Sequence, residues 1–110
     1  MKIEAPKPGS KVRGSKTGRP VMALLDQLGR RGTLRILWEL REGRALTFRE
    51  LASAAELPPA TLNTRLHELR EQGLVDAADG YCLSTLGAQL IVALAPLQGF
   101  AQRWARQLEG

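Results

Sequence analysis

The chain has 110 residues, a mass of 12.0 kDa, 44% hydrophobic and 5% aromatic content, enough for one modest core and too little for two domains. Its formal charge is +5, but residues 1–20 hold six Lys or Arg against Glu4 alone, and residues 21–110 hold ten Arg against ten acids. The whole excess therefore sits in the first twenty residues, and Cys82, the single cysteine, excludes a disulfide framework or a multi-thiolate zinc site within one chain.

Residues 1–19 alternate Lys with Pro, Gly and Ser and offer almost nothing to bury, which predicts a basic, flexible arm ahead of a domain over 20–110. The arm has no apolar run of the kind a secretory signal needs. Leu90–Leu97, the most apolar stretch, is far too short to cross a bilayer, so a soluble, cytoplasmic protein without a membrane partner is expected.

A first helix is predicted from Pro20, where proline suits an opening turn, through Val21, Leu24, Leu25 and Leu28 at helical spacing to Gly29. After the turn Arg30–Gly32, Thr33 is read as the cap of a second helix. Ile36, Leu37 and Leu40 line one of its faces, flanked by Leu34 and Trp38, and Gly43 ends it. Leu46 and Phe48 then bracket Thr47, and Thr47-Phe-Arg-Glu50 is a capping-box pattern that starts a third helix over 48–55.

Leu57-Pro58-Pro59 breaks the chain into a tight turn, because the residue before a proline leaves the helical region and Pro59 fits a first helical position. The fourth helix, Pro59–Gln72, carries a stripe of Leu62, Leu66 and Leu69 and closes at Gly73. Its other face is Ala60, Thr61, Asn63, Thr64 and His67, with Arg65 at the margin. Leu74–Ala77, the two-residue turn Asp79-Gly80 and Tyr81–Ser84 predict a short hairpin in which Cys82 is a small core thiol. Ser84 or Thr85 caps a last helix to about Leu108, which Pro96 is expected to kink or split.

This order predicts a mainly α fold with a small β-hairpin, a winged helix-turn-helix. The second helix of the turn unit exposes short polar side chains, and Asn63 and Thr64 suit base edges in a major groove. Pro59, Ala60, Thr61, Arg65 and His67 complete the candidate DNA-binding surface, with Lys16 and Arg19 of the arm as candidate backbone contacts. The hairpin itself holds Asp76 and Asp79 and no Arg or Lys over 76–81, so the arm is the better source of cations. In the last helix Leu90, Leu94, Leu97, Trp104 and Leu108, with Phe100 beside them, exceed what so small a body can cover, and dimerisation is the economical explanation.

Four stretches carry a resemblance to a known family: Gly29-Arg-Arg-Gly-Thr-Leu-Arg-Ile-Leu-Trp-Glu-Leu40, Phe48-Arg-Glu-Leu51, Leu62-Asn-Thr-Arg-Leu-His-Glu-Leu-Arg-Glu-Gln-Gly-Leu-Val75 and Tyr81-Cys-Leu-Ser-Thr-Leu-Gly87. Over about residues 20–108 the chain resembles the HxlR-type bacterial transcription regulators, and Thr33–Leu37 is also similar to ArsR-type regulators. The resemblance implies a homodimeric DNA-binding regulator, with Asn63, Thr64 and His67 at groove-facing positions and the first and last helices forming the dimer. It implies no catalytic site; no metal or cofactor is expected, since the Cys and His clusters of metal-sensing ArsR-type regulators are absent from the sequence, and the effector is left open. The inventory agrees: there is no glycine-rich phosphate loop, no Cys/His metal spacing and no nucleophile–base pair. The competing reading is a winged-helix protein-interaction module whose arm is incidental.

Overall fold

The computed structural model describes residues 5–8 and 19–110. Lys11, Arg13 and Lys16 of the arm lie outside the described residues. In chain order the elements are α1 (Pro20–Leu28), α2 (Thr33–Glu39), α3 (Phe48–Ala55), α4 (Pro59–Glu71), β1 (Val75–Ala77), β2 (Tyr81–Leu83) and α5 (Thr85–Glu109). This is the mainly helical fold with one small hairpin that the sequence predicts, and Pro20 and Pro59 both occupy first-turn positions.

One core joins the elements. Ile36, Leu37 and Leu40 from α2 and its end, Leu51 from α3, and Leu62, Leu66 and Leu69 from α4 meet Leu74, Val75 and Leu90 in a single buried cluster. The stripes read from helical spacing in the second and fourth helices are thus the faces that pack. In α1 the buried residues are instead Ala23 and Gln27, while Leu24 and Leu28 pack partly and Val21 and Leu25 face outward.

Three local details differ from the sequence reading. Thr33 does not cap α2: Gly32 does, at φ +88°, a left-handed geometry, and a Cβ there would stand 2.7 Å from Leu57 Cδ1. Thr33 is the first helical residue instead, and its buried hydroxyl accepts a hydrogen bond from Gln27 Nε2 at 3.3 Å. Nor does α2 run to Gly43, because beyond Glu39 the N–H groups of Arg41 and Gly43 turn to the carbonyls of Trp38 and Leu40, both at 3.2 Å. Those three-residue steps tighten the end into a turn.

The hairpin loop has three residues rather than two. Ala77 pairs with Tyr81, leaving Ala78, Asp79 and Gly80 in the connection, and Gly80 at φ +94° supplies the left-handed last position that such loops use. Tyr81 also exchanges two backbone hydrogen bonds with Leu46, at 2.9 and 2.7 Å, so the extended piece before α3 lies against the hairpin. Cys82, on β2, is half-buried.

Ser84 caps α5, its hydroxyl accepting from the Gly87 N–H at 2.9 Å. The helix then continues through Pro96 to Glu109 without a split. Val92 and Pro96 lie on its exposed side, where the hydrogen bond that proline removes is least costly.

Candidate nucleic-acid interface

The unit α3–turn–α4 is built from local signals. Thr47 Oγ1 accepts from the Glu50 N–H at 3.1 Å and the Thr47 N–H donates to Glu50 Oε1 at 2.9 Å, the complete capping box the sequence predicts. The Thr47 backbone N–H first, and the Thr47 hydroxyl as a second donor to the carboxylate, hold the Glu50 carboxyl below the ordinary glutamate range. At the other end of α3, Glu56 adopts a left-handed φ of +55°, the Leu57 N–H bonds back to the Ala52 carbonyl at 3.2 Å, and extended Pro58 leads into α4. Nothing in the sequence marked Glu56 as the left-handed residue, since neither Gly nor Asn stands there.

With Leu62, Leu66 and Leu69 buried, α4 turns Pro59, Ala60, Asn63 and His67 outward and leaves Thr61 and Thr64 half-buried. The Asn63 amide has no hydrogen-bond partner among the described residues. Thr64 donates its hydroxyl proton to the Ala60 carbonyl at 3.1 Å, which steadies the side chain and leaves oxygen lone pairs and the methyl outward-facing chemistry. His67 Nε2 lies 3.1 Å from Glu71 Oε1, one turn on. Asn63, Thr64 and His67 therefore share one polar face at the opening and middle of the helix, the part that enters a groove in helix-turn-helix proteins.

Arg65 is not on that face. Its Nε–H donates to the Arg31 carbonyl at 2.9 Å and its guanidinium bonds Glu68 Oε1 at 2.7 Å, which leaves the side chain only 18% exposed. It belongs to a second stripe, Thr61, Arg65, Glu68 and Gln72, spaced four, three and four residues apart. Sequence reading missed this stripe because its counterparts are distant in the chain. Glu68 is buried, and Gln27 Nε2 donates to it at 3.3 Å while Arg30 pairs with its other oxygen. Gln72 Nε2 donates to Gln27 Oε1 at 3.2 Å and to the Pro6 carbonyl at 2.7 Å, and Pro6 is itself buried.

Arg19 is exposed just ahead of α1, on a different element from the α4 face, and Lys16 lies outside the described residues. On the hairpin, Asp76, Ala77, Ala78 and Asp79 are exposed, so no cation extends from its tip. The exposed cations nearest in sequence to the turn unit are Arg44, Arg49 on α3 and Arg70 on α4, which the sequence reading passed over although each lies off the buried stripes.

A second surface is apolar. Leu90 is buried and Leu94 half-buried, but Leu97, Phe100, Trp104 and Leu108 are 59%, 53%, 57% and 70% exposed. Leu34, Trp38, Ile91, Leu94, Leu97 and Ala101 line an open groove between α2 and α5, and the Arg41 guanidinium stands 4.0 Å over the Trp38 ring. Among the described residues no helix is long and apolar enough to cross a membrane, and no group of three or more His, Cys, Asp or Glu is placed to hold a metal ion.

Residues 33–77 match the model of a family described as a helix-turn-helix domain. With the hairpin that follows α4, the fold is that of a winged helix. The matched stretch runs from α2 through β1 and contains the whole α3–turn–α4 unit with its exposed polar face. The two outer helices, α1 and α5, which carry most of the uncovered large apolar side chains, lie outside it. No curated protein matches the chain.

Proposed function

We propose that the protein is a DNA-binding transcription regulator of the HxlR type, a homodimer that reads double-stranded DNA by seating α4 of each subunit in a major groove. The observation that carries this reading is the outer face of α4. Asn63, Thr64 and His67 project polar groups from a helix whose opposite stripe is wholly buried, inside a stretch that matches a helix-turn-helix domain. Asn offers the paired donor and acceptor that fit adenine, and Thr offers a hydroxyl and a methyl for the thymine edge.

Phosphate contacts fall to cations other than the wing. Arg44, Arg49 and Arg70 are exposed around the turn unit, and Arg19 with the basic arm adds non-specific attraction. Dimerisation through the outer helices is supported by Val21 and Leu25 on α1 and by the exposed apolar length of α5. Two copies related by a two-fold axis would carry two α4 helices to half-sites about 34 Å apart, one turn of the duplex. Regulation follows from occupancy of that operator.

Selection of bound sequences from random duplex DNA, with the natural chain and with Asn63→Ala and Thr64→Ala, tests the reading. A two-fold-symmetric motif should be enriched, and each substitution should relax one position in each half-site. If no motif emerges, sequence-specific recognition fails and a protein-binding role takes its place.

A further inference from the structure

We infer that Glu68 is a positioning residue of the DNA-reading helix: it locks the pitch of α4 against α1 and holds Arg65 away from the groove-facing surface. The inference rests on the reading of α4 proposed above and adds a residue that lies on neither its outer face nor its leucine stripe.

The geometry is specific. Glu68 is 2% exposed, and a buried carboxylate persists only where charge and hydrogen bonds replace water. Both its oxygens are engaged. Oε1 accepts from Arg65 at 2.7 Å and from Gln27 at 3.3 Å, and Oε2 accepts from Arg30. Arg30 in turn bonds Asp26 at 3.1 Å, so two arginines meet two acids. Asp26 and Gln27 belong to α1, Arg30 follows it, and Arg65 and Glu68 belong to α4, so the cluster ties the reading helix to an outer helix.

A stripe of leucines does not fix a helix in this way. Apolar contacts are non-directional, and a helix resting on Leu62, Leu66 and Leu69 alone tolerates small rotations and slides. Hydrogen bonds to a charged group have narrow geometry, and a polar cluster on one flank removes those freedoms. Arg65 shows the second consequence. It sits one turn from Thr61 at the edge of the reading face, yet its guanidinium is drawn inward by Glu68 and by the Arg31 carbonyl. Without the Glu68 charge, a cation left among Arg30 and the Arg31 carbonyl would turn outward to water or to phosphate.

The test uses the full chain, random-sequence duplex DNA and the dependence of binding on salt. Arg65→Met should leave the salt slope unchanged, because Arg65 touches no phosphate; a slope flatter by about 0.9 log unit would make it a backbone contact and overturn the inference. Glu68→Gln should steepen the slope by about 0.9 log unit for each contact that freed Arg65 gains, and Glu68→Gln with Arg65→Met should restore it. A purely structural role for Glu68 would lower the melting temperature and leave the slope alone. A DNA-free readout separates the two readings. The Arg65 Nε–H should give a slowly exchanging NMR signal in the free natural chain and a fast one in Glu68→Gln; fast exchange in both, or slow exchange in both because the Arg31 carbonyl alone holds Arg65, would overturn the inference. If the natural chain fails to bind duplex DNA, the proposed function fails by itself.

Discussion

α4 and α5 each carry a stripe of large apolar residues at helical spacing, and the fold treats the two stripes in opposite ways. Leu62, Leu66 and Leu69 of α4 are 0%, 3% and 0% exposed, whereas Leu97, Trp104 and Leu108 of α5 are 59%, 57% and 70% exposed. The difference lies in what surrounds them. The α4 stripe joins Ile36, Leu37, Leu51 and Val75 from α2, α3 and β1 in one buried cluster, so it completes a core. α5 leaves that core after Leu94, and its second half extends beyond any cover that the described residues supply. Periodicity reports which side of a helix is apolar; it does not report whether the cover comes from the same chain.

That contrast is broken most strongly from the α4 side. Leu69→Ala should lower the unfolding free energy by about 2–5 kcal/mol in a denaturant titration, because a fully buried leucine leaves a cavity as well as losing its transfer energy. The loss should be the same at every protein concentration, and a value near zero would show that the stripe is not the anchor of α4.

Trp104→Ala is the counterpart on α5. An exposed tryptophan contributes little to a lone chain, so any large effect must come from association. In the proposed dimer the substitution should weaken self-association by about 2 kcal/mol, roughly thirtyfold in dissociation constant, seen as a shift toward monomer in sedimentation over a dilution series. A natural chain that sediments as a monomer at micromolar concentration would remove the dimer.

The smallest effects belong to the caps: Ser84 caps α5 and Thr47 caps α3, the helix that leads into α4, and each accepts a backbone N–H three residues on. Thr47→Ala should cost about 1 kcal/mol in thermal unfolding. Its partner Glu50 has a carboxyl lowered by folding, so its contribution is complete above the ordinary glutamate range and disappears as the pH falls through the folded value. A comparison of the natural chain with Glu50→Gln should therefore show a difference in melting temperature at neutral pH that closes in acid. A gap that persists in acid would mean that the charge of Glu50 is irrelevant to the cap.

Much of the reading unit was legible because its signals are local. The capping box Thr47–Glu50 spans four residues, Pro58-Pro59 is contiguous, and the leucine stripe of α4 repeats within two turns. The misplaced details are those where a neighbour decides. Thr33 has the chemistry of a cap, but Gln27 claims its hydroxyl while Leu57 crowds the space beside Gly32. Asp79-Gly80 suits a two-residue turn, but the pairing of Ala77 with Tyr81 admits Ala78 to the loop. The partners of Arg65 were likewise out of sight: Glu68 and a carbonyl 34 positions away bond a side chain that residue type alone places on the candidate DNA-binding surface.

The amino-acid sequence alone determined the order and type of the elements, the start of each capped helix and the polar outer face of α4, because each follows from spacing within a few residues. Tertiary structure decided which polar groups remain available on that face and which are consumed inside. The polar seam joins Gln27 and Arg30 to Glu68 across 41 and 38 positions, and such pairings depend on how α1 lies beside α4, which no local pattern encodes.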